Sequence, residues 1–253
     1  MPDDRSSPPP LSCATTREDL PSSWTHHDLP MRAAELEARL GSRPAVEVLA
    51  FALRDAALGR VALVTSFGAE AAVLLHMAAT IDRDTPILFI DTNRHFSETL
   101  WYRDHLSAHL GLRRVLTIGP SPCEEAKFDP GGSLACVDPD ACCTFRKTAP
   151  LRRALTGFDV WISGRRRSQS STRERMKIFE ADDRWLKVNP LADWDSDAVA
   201  SYFARHGLPV HPLVARGYPS IGCAPCTSAV GPGENPRAGR WRGSAKTECG
   251  IHQ

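Results

Sequence analysis

Five of the eight cysteines in this chain have a spacing or position that suits metal binding or nucleophilic attack. Cys142 and Cys143 are adjacent, and Cys223-Ala-Pro-Cys226 forms a CxxC pair further along the chain. Such a set can supply four thiolates to one iron–sulfur cluster, because soft iron–sulfur centres select thiolate ligands. A structural zinc site also uses four thiolates, although two CxxC pairs are its commoner arrangement. We therefore predict a metal centre, with an iron–sulfur cluster favoured over zinc.

Cys249 is the fifth thiol, in the sequence Glu248-Cys-Gly-Ile-His252. The thiolate is the nucleophilic form of cysteine, and the nearby Lys246 and His252 would favour ionisation if this tail folds over a site. We predict Cys249 and His252 as catalytic residues; the alternative is an unreactive thiol at a frayed chain end. The remaining cysteines are expected to be small buried hydrophobic side chains; they are Cys13, Cys123 and Cys136.

A dense run of cationic and hydroxyl side chains lies between Gly164 and Arg173. Planar guanidinium groups bind sulfate and phosphate oxygens in bidentate fashion, so the run predicts an anion site. A solvated charged surface and a nucleic-acid site are the alternatives, and the lack of interleaved aromatic residues argues against stacking on bases. Candidates in this run are Arg165, Arg166, Gln169, Ser170 and Arg173. Further cations are Lys147, beside Arg146 and close to the adjacent cysteines, and Arg237 and Arg240, which precede Trp241 in the C-terminal segment.

Short apolar runs bounded by turn residues predict the strands that must position these groups. Helical spacing of apolar residues separates the first three runs, so the order predicts right-handed crossovers and a parallel sheet. The predicted strands are 61–64, 87–90, 115–118 and 160–163. The predicted helices are 31–40, 44–58, 70–81, 96–110 and 196–206.

Ligands of such sheets bind beyond the carboxyl ends of the strands, where two small polar segments occur. The turn 65–70 leads from the first strand into a helix and presents backbone N–H groups suited to a phosphate. The second strand ends at Asp91 and Thr92, which could contact a ribose or phosphate. An ordinary turn and a helix cap are the alternatives. The candidates at these two strand ends are Ser66, Phe67, Gly68, Glu70, Asp91 and Thr92.

Composition limits the class of protein. The 253 residues are 42% hydrophobic and can bury one good core, and the net charge of +1 argues against a polyanionic partner held by overall charge. The sequence shows neither a secretory signal nor a membrane-spanning apolar stretch, so we expect a cytoplasmic protein whose thiols stay reduced. We predict a mobile leader over 1–28, a nucleotide-binding domain over 29–207, and an irregular segment over 208–253 that completes the metal centre and carries the catalytic tail.

Taken together, these segments resemble the assimilatory adenylylsulfate reductases, which are grouped with phosphoadenylylsulfate reductases among the PP-loop proteins. The resemblance runs from about Ala45 to the C-terminus. The segments that carry it are Ser66-Phe-Gly-Ala-Glu70, Cys142-Cys-Thr-Phe-Arg-Lys147, Gly164 to Arg173, Gly222-Cys-Ala-Pro-Cys-Thr227 and Glu248-Cys-Gly-Ile-His252. The resemblance implies an α/β fold with a single doubly wound, mainly parallel sheet, of the adenine nucleotide alpha hydrolase-like type.

The same resemblance implies a reaction. Adenosine 5'-phosphosulfate would be reduced to sulfite and AMP in sulfate assimilation, through an S-sulfocysteine on Cys249 that a separate thioredoxin resolves. One [4Fe-4S] cluster per chain would be held by the two cysteine pairs and would act structurally and electrostatically through Lys147. Ser66 would hold the nucleotide phosphate, and Lys147, Arg237 and Arg240 the phosphosulfate. No nucleic acid or membrane partner is implied, and a homo-oligomer stays open.

Three alternatives stay open at this stage. A reductase that prefers the 3'-phosphorylated substrate, or uses both, is the nearest, since the extra arginines could accept a 3'-phosphate; relatives with that preference usually lack the two cysteine pairs. A PP-loop enzyme that activates a substrate with ATP is the second, although the turn after the first strand lacks the form typical of ATP pyrophosphatases. An iron–sulfur or zinc binding or sensor module is the third, and in it Cys249 would be dispensable.

Overall fold

The computed structural model describes residues 28–244 and 246–251. Its six strands are β1 Val61–Thr65, β2 Ile87–Ile90, β3 Val115–Ile118, β4 Val160–Ile162, β5 Phe179–Asp182 and β6 Trp185–Val188. Its α-helices are α1 Leu29–Leu40, α2 Ala45–Arg54, α3 Ala71–Ile81, α4 Ser97–Leu110, α5 Pro122–Phe128, α6 Leu134–Val137, α7 Pro139–Cys143, α8 Ala149–Leu155 and α9 Ser196–His206.

The strands form one sheet in the order β3-β2-β1-β4-β6-β5. All neighbours are parallel except β5 and β6, which form an antiparallel pair at one edge. The sheet therefore confirms the predicted α/β class and all four predicted strands. The sequence reading missed β5 and β6, because Lys187 interrupts the apolar run of β6 although its side chain is buried, with its ammonium 4.7 Å from the Trp161 ring centre.

Both faces of the sheet are covered, because alternate residues of a strand point to opposite faces. In β1, Leu63 joins the larger hydrophobic cluster, which contains residues of α1 to α4 and α9. Its neighbours Ala62 and Val64 join a smaller cluster with Leu151 and Leu155 of α8. The sheet is thus doubly wound, as the resemblance implied.

The predicted helices form with small changes at their ends. The helix predicted over 44–58 ends at Arg54, and a 3₁₀ turn covers Ala56–Leu58, with the side chain of Asp55 accepting a hydrogen bond from the N–H of Ala57. α4 and α9 end at Gly111 and Gly207, both in the left-handed conformation that glycine adopts at little cost. The short helices α5 and α6 were not predicted, because each is too brief to show helical periodicity.

The chain between α7 and α8 forms a π-helical turn over Thr144–Thr148. Such turns are rare and often occur at functional sites. Here the turn carries Arg146 and Lys147, both buried, and follows directly on the adjacent cysteines. The wider turn therefore places two cations beside two thiols.

The C-terminal part of the described chain is irregular, as predicted. From Leu208 onward it contains two 3₁₀ turns, Val214–Arg216 and Ala224–Cys226, and one isolated bridge between Thr227 and Arg240. Within the ranges that the structure covers, no helix has the length and apolar character needed to cross a membrane. The predicted leader lies outside the described residues except for Asp28.

Candidate active site

A cleft of about 1200 Å³ opens at the carboxyl ends of the parallel strands. Ser66 follows β1, Thr92 follows β2, and Ser163 follows β4, and all three line the cleft. The opposite wall comes from the irregular C-terminal segment, including Cys223 and Cys249. The sheet edge predicted to bind ligand is therefore the edge where the structure has its large cavity.

The turn after β1 presents its polar groups to the cleft and its aromatic ring to the core. Phe67 has a positive φ of 50°, and its N–H donates to the Thr65 hydroxyl over 3.0 Å. The Phe67 ring is fully buried against Phe89, with ring centres 5.5 Å apart, so it anchors the turn and does not line the cleft. Ser66, Gly68 and Glu70 do line it.

The two residues after β2 differ in what they face. The Asp91 carboxylate accepts the N–H of Asn93 over 2.9 Å and is not part of the cleft wall. Thr92 lines the cleft, but its hydroxyl is 3.3 Å from the sulfur of Cys223. Thr92 therefore joins the nucleotide side of the site to the cysteine side.

The arginine-rich run folds into a network of side chains. Arg166 pairs with Glu70, whose other oxygen accepts from Gln169 over 3.1 Å. Gln169 in turn accepts a hydrogen bond from Arg173, and Arg173 binds Glu248 in the tail. This chain of contacts runs from the start of α3 to the residue before Cys249, so several of the predicted substrate contacts also bind one another.

Three cations in the cleft have no carboxylate partner within the described residues: Lys147, Arg165 and Arg240. Burial, followed by the neighbouring Arg173, lowers the pKa of Arg165. Arg240 lies with its Cζ 4.5 Å from the ring centre of Trp241. The Nε groups of both arginines and the indole N–H of Trp241 are buried without a hydrogen-bond partner in the part of the chain described. Buried donors of this kind normally have partners, which a bound anion would provide.

The four cysteines of the two pairs lie in one region of the fold, and Cys223 lines the cleft. Cys142, Cys143 and Cys223 are buried, and Cys226 is half-buried. Burial raises the pKa of Cys142 to about 11, and negative charge on Cys143, Cys223 and Cys226 raises it as well, which makes the four thiols electrostatic neighbours. Across the described ranges, no three His, Cys, Asp or Glu side chains form a group that could hold a metal ion.

Lys147 connects these thiols to the cleft. Its Nζ is 3.7 Å from the sulfur of Cys143, and its side chain lines the cavity. Burial alone would lower the pKa of Lys147, but the thiolates of Cys223, Cys249 and Cys143 raise it above its ordinary value. Lys147 is therefore positively charged, and it lies between the thiols and the cleft.

Arg146 holds this region in place. Its side chain is almost fully buried, donates to the carbonyl of Thr92 over 2.9 Å, and pairs with Asp129 over 2.7 Å and with Glu125. It thus ties the π-helical turn to the end of β2. It lies behind the thiols, outside the cleft wall.

Residues 60–229 match the family described as the phosphoadenosine phosphosulfate reductase domain. The chain belongs to this family. An adenosine 5'-phosphosulfate reductase from Mesorhizobium japonicum is 48% identical over 221 residues, which cover 87% of this chain and 87% of the relative. One from Chelativorans sp. is 46% identical over 228 residues, covering 89% of this chain and 92% of the relative.

Solved structures agree with the family and the fold. The phosphoadenylyl-sulfate reductase of Candida auris, in a phosphate complex, has a TM-score of 0.67 and 27% identity, covering 79% of this chain and 97% of that one. An FMN adenylyltransferase of Candida glabrata has a TM-score of 0.53 at 15% identity, covering 79% of this chain and 72% of that one, and shows the fold alone. The resemblance stated from the sequence motifs is therefore confirmed for family and fold class.

Most of the residues predicted from the sequence meet at this family's cleft. Those that line it are Ser66, Gly68, Glu70, Thr92, Lys147, Arg165, Arg166, Gln169, Arg173, Cys223, Arg237, Arg240 and Cys249. Ser170 stands behind the wall and donates to Glu248 over 3.1 Å. His252 and Cys13 lie outside the described residues, so their predicted roles stay predictions. Cys123 and Cys136 are exposed, and the expectation that they are buried was wrong, because each lies on a short surface helix.

Sequence reasoning assigned no role to Glu248 or His95, which also line the cleft. Glu248 pairs with Arg173 and Arg237 and directly precedes Cys249, so its position in the sequence was the available signal. Trp241, which sequence reasoning grouped with Arg237 and Arg240, contacts the guanidinium of Arg240 with its ring. The Nε2–H of His95 donates to the carbonyl of Ile90 over 2.9 Å, and no sequence motif marked this residue.

Proposed function

We propose that this chain is an adenosine 5'-phosphosulfate reductase that forms sulfite and AMP. The observation that carries the proposal is the presence of Cys249 in the same cleft as three cations without a carboxylate partner among the described residues: the buried Lys147 and the half-buried Arg165 and Arg240. A nucleophilic thiol beside uncommitted cations suits an anionic substrate that is attacked at sulfur. The names of the 48% and 46% identical relatives support the same substrate.

In the proposed reaction, the Cys249 thiolate attacks the sulfur of the phosphosulfate. A bond forms between Sγ and the sulfonate sulfur as the bond from that sulfur to the bridging oxygen breaks. AMP leaves with the electron pair of that bond, and Cys249 becomes an S-sulfocysteine. A dithiol reductant of the thioredoxin class then attacks Sγ, sulfite leaves, and the second thiol of the reductant restores Cys249.

The cations of the cleft stabilise the charge that moves in this step. Negative charge grows on the bridging oxygen as AMP departs, and fixed cations placed in advance at such a position lower the barrier most. The proposal assigns Lys147, Arg237 and Arg240 to the phosphosulfate. Ser66 and the backbone before α3 are assigned to the nucleotide phosphate, because the start of a helix offers N–H donors to an anion.

We further propose one [4Fe-4S] cluster on Cys142, Cys143, Cys223 and Cys226. The chemistry of the donor set fits, because four thiolates are the ligands that such a cluster requires, although the described residues show no group of three side chains gathered as a metal site. A structural zinc site more commonly uses two CxxC pairs than an adjacent pair of cysteines such as Cys142 and Cys143. When bound, the cluster would supply fixed charge and hold the C-terminal segment on the domain.

The proposed setting follows from the chemistry. A separate thioredoxin would serve as reductant, in a cytoplasm that keeps thiols reduced. Segment 208–253 would form the part of the chain that completes the cluster site and carries the nucleophile over the domain 29–207. Thr92, which contacts Cys223, links the two parts.

The test is anaerobic incubation of the cluster-loaded protein with adenosine 5'-phosphosulfate in the absence of thiols, followed by intact-mass analysis. We expect a gain of about 80 Da, one sulfonate, on the wild type. Cys249→Ser should show no adduct while still binding AMP, and the exposed Cys136→Ser is the matched control that should keep the adduct. A parallel reaction with the 3'-phosphorylated nucleotide measures preference. An adduct on Cys249→Ser, or none on the wild type, would refute the proposal.

A further inference from the structure

The carboxylate of Glu248, in the C-terminal tail, is bound by several side chains of the arginine-rich run. Oε1 and Oε2 accept from Nε and Nη2 of Arg173, each over 2.7 Å, in a bidentate pair. The hydroxyls of Ser170 and Thr172 donate to Oε1 over 3.1 Å, and Arg237 is 3.5 Å from Oε2. Bidentate arginine pairs combine strength with a fixed geometry. Glu248 is therefore held in one orientation, directly before Cys249 in the chain.

This carboxylate is well stabilised where it is. It is nearly buried, and although burial opposes ionisation, Arg173 and then Arg237 lower the pKa of Glu248 to about 2. Removing a carboxylate from a buried bidentate partner leaves an uncompensated charge, which is costly. The contact between Glu248 and Arg173 is therefore suited to anchoring the tail, and not to being displaced by the substrate.

Glu248 leaves most of the cleft's cations without a carboxylate. Its bidentate partner is Arg173, and Arg237, which the proposed function assigns to the phosphosulfate, is further away at 3.5 Å. Lys147, Arg165 and Arg240 keep no carboxylate partner among the described residues. A carboxylate that mainly competed with the substrate would be expected on those three cations, so the strongest contact of Glu248 is the one that fixes the tail.

Two other contacts fix the tail on either side of Glu248. Lys246 pairs with Asp140 of α7, beside the cysteine pair. Ile251 packs against the smaller hydrophobic cluster around Leu151 and Leu155. Glu248 lies between these two contacts, next to the nucleophile.

We propose that Glu248 is a positioning residue, which holds the Cys249 sulfur over the cleft by docking the tail on Arg173, Ser170 and Thr172. The catalytic consequence rests on the proposed function, since it concerns the attack by Cys249. The docking itself does not, and it can be measured without any substrate. The proposal differs from one in which the tail is held by the cluster and hydrophobic contacts alone.

The substrate-free test is limited trypsin digestion of the cluster-loaded protein, followed by intact mass. Lys246 is nearly buried in the docked tail, so cleavage after it should be slow in the wild type. We expect Glu248→Gln and Arg173→Gln each to speed that cleavage at least tenfold, and the double variant to be no faster than either. Glu234→Gln, which breaks an exposed pair with Arg242, is the matched control and should cleave at the wild-type rate. Unchanged cleavage in Glu248→Gln would overturn the proposal.

The catalytic test separates positioning from binding. We expect Glu248→Gln to lower the rate of Cys249 sulfonation at saturating substrate at least tenfold, while the Kd for AMP changes less than threefold, and Glu248→Asp to restore part of the rate. Tighter AMP binding with an unchanged sulfonation rate would make Glu248 a competitor of the substrate and overturn the proposal. An equal loss of AMP binding and of sulfonation rate would show that Glu248 has a general structural role in place of a positioning one. If the wild type gains no sulfonate, the proposed function is refuted. The digestion experiment still tests whether Glu248 docks the tail.

Discussion

The ammonium of Lys147 lies 3.7 Å from the sulfur of Cys143 while its side chain lines the cleft that contains Cys249. One buried cation therefore contacts the cysteine set and the proposed substrate site together. The π-helical turn makes this possible, because Lys147 follows the adjacent cysteines by one turn. A change of charge on the cysteines would therefore act on the proposed substrate site through Lys147.

Replacing Lys147 by glutamine should remove that link. We expect the rate of Cys249 sulfonation to fall by about 10² to 10³, the usual cost of removing one group that stabilises transition-state charge. Iron and sulfide content per chain should stay at the wild-type level, because all four cysteines remain. Lys177→Gln, at an exposed position, is the control. Normal turnover in Lys147→Gln would contradict the assigned role.

Gly222 leaves room for the guanidinium of Arg240. A Cβ at this position would lie 2.3 Å from Nη2 and 2.5 Å from Cζ of Arg240, so alanine must push that flexible side chain away. We expect Gly222→Ala to raise the KM for adenosine 5'-phosphosulfate about tenfold, equivalent to about 1.4 kcal/mol, with a nearly unchanged Tm. The control is Gly131→Ala, whose Cβ would meet nothing closer than 3.9 Å. An unaltered KM would show that Arg240 does not bind the substrate.

The hydroxyl of Thr92 is 3.3 Å from the sulfur of Cys223. If that thiolate binds iron, only the hydroxyl can donate, and hydrogen bonds to cluster sulfurs stabilise the more electron-rich reduced state. Thr92→Val should therefore lower the reduction potential of the cluster, as measured by anaerobic redox titration. Thr85→Val, at a buried hydroxyl that binds the carbonyl of Asp82, should leave the potential unchanged. A raised potential would reverse the assigned donor.

His211 should make the stability of the fold depend on pH. Its Nδ1 accepts the N–H of Leu213 over 3.2 Å, so the neutral ring carries its proton on Nε2, which is 3.1 Å from the hydroxyl of Thr99. Burial lowers the pKa of His211 from 6.5 to about 4, although Glu98 raises it slightly.

The sign follows from linkage. Between pH 6.5 and about 4 the unfolded chain binds a proton at this position that the folded chain does not, so the free energy of unfolding decreases as pH falls through that window. Urea unfolding at several pH values would measure this slope. In His211→Asn, whose amide oxygen can still accept the N–H of Leu213, the slope should be smaller. The same slope in both proteins would exclude His211 as its source.

The sequence predicted the parts of the fold that have simple periodicity. The apolar runs of β1 to β4 and the helical spacing of α3 and α4 are local signals, and the parallel order follows from their alternation. The edge pair β5 and β6 escaped prediction, since Lys187 is buried there only because Trp161 and Asp182 contact it across the sheet. The π-helical turn carries no periodic signal of its own.

Residue type and spacing by themselves determined which groups are the candidates for the site: two cysteine pairs, a thiol near the C-terminus, an arginine-rich run and a small polar turn after a strand. The tertiary structure alone decided how those groups divide their roles. Glu70, Gln169, Arg173 and Glu248 bind one another, while Lys147, Arg165 and Arg240 are left for an anion. The physical reason is that a charged side chain pairs with whichever opposite charge the fold brings within reach. Where the fold brings none, the side chain remains able to bind a ligand. Residues as distant in sequence as Arg173 and Glu248 meet only after the chain has folded.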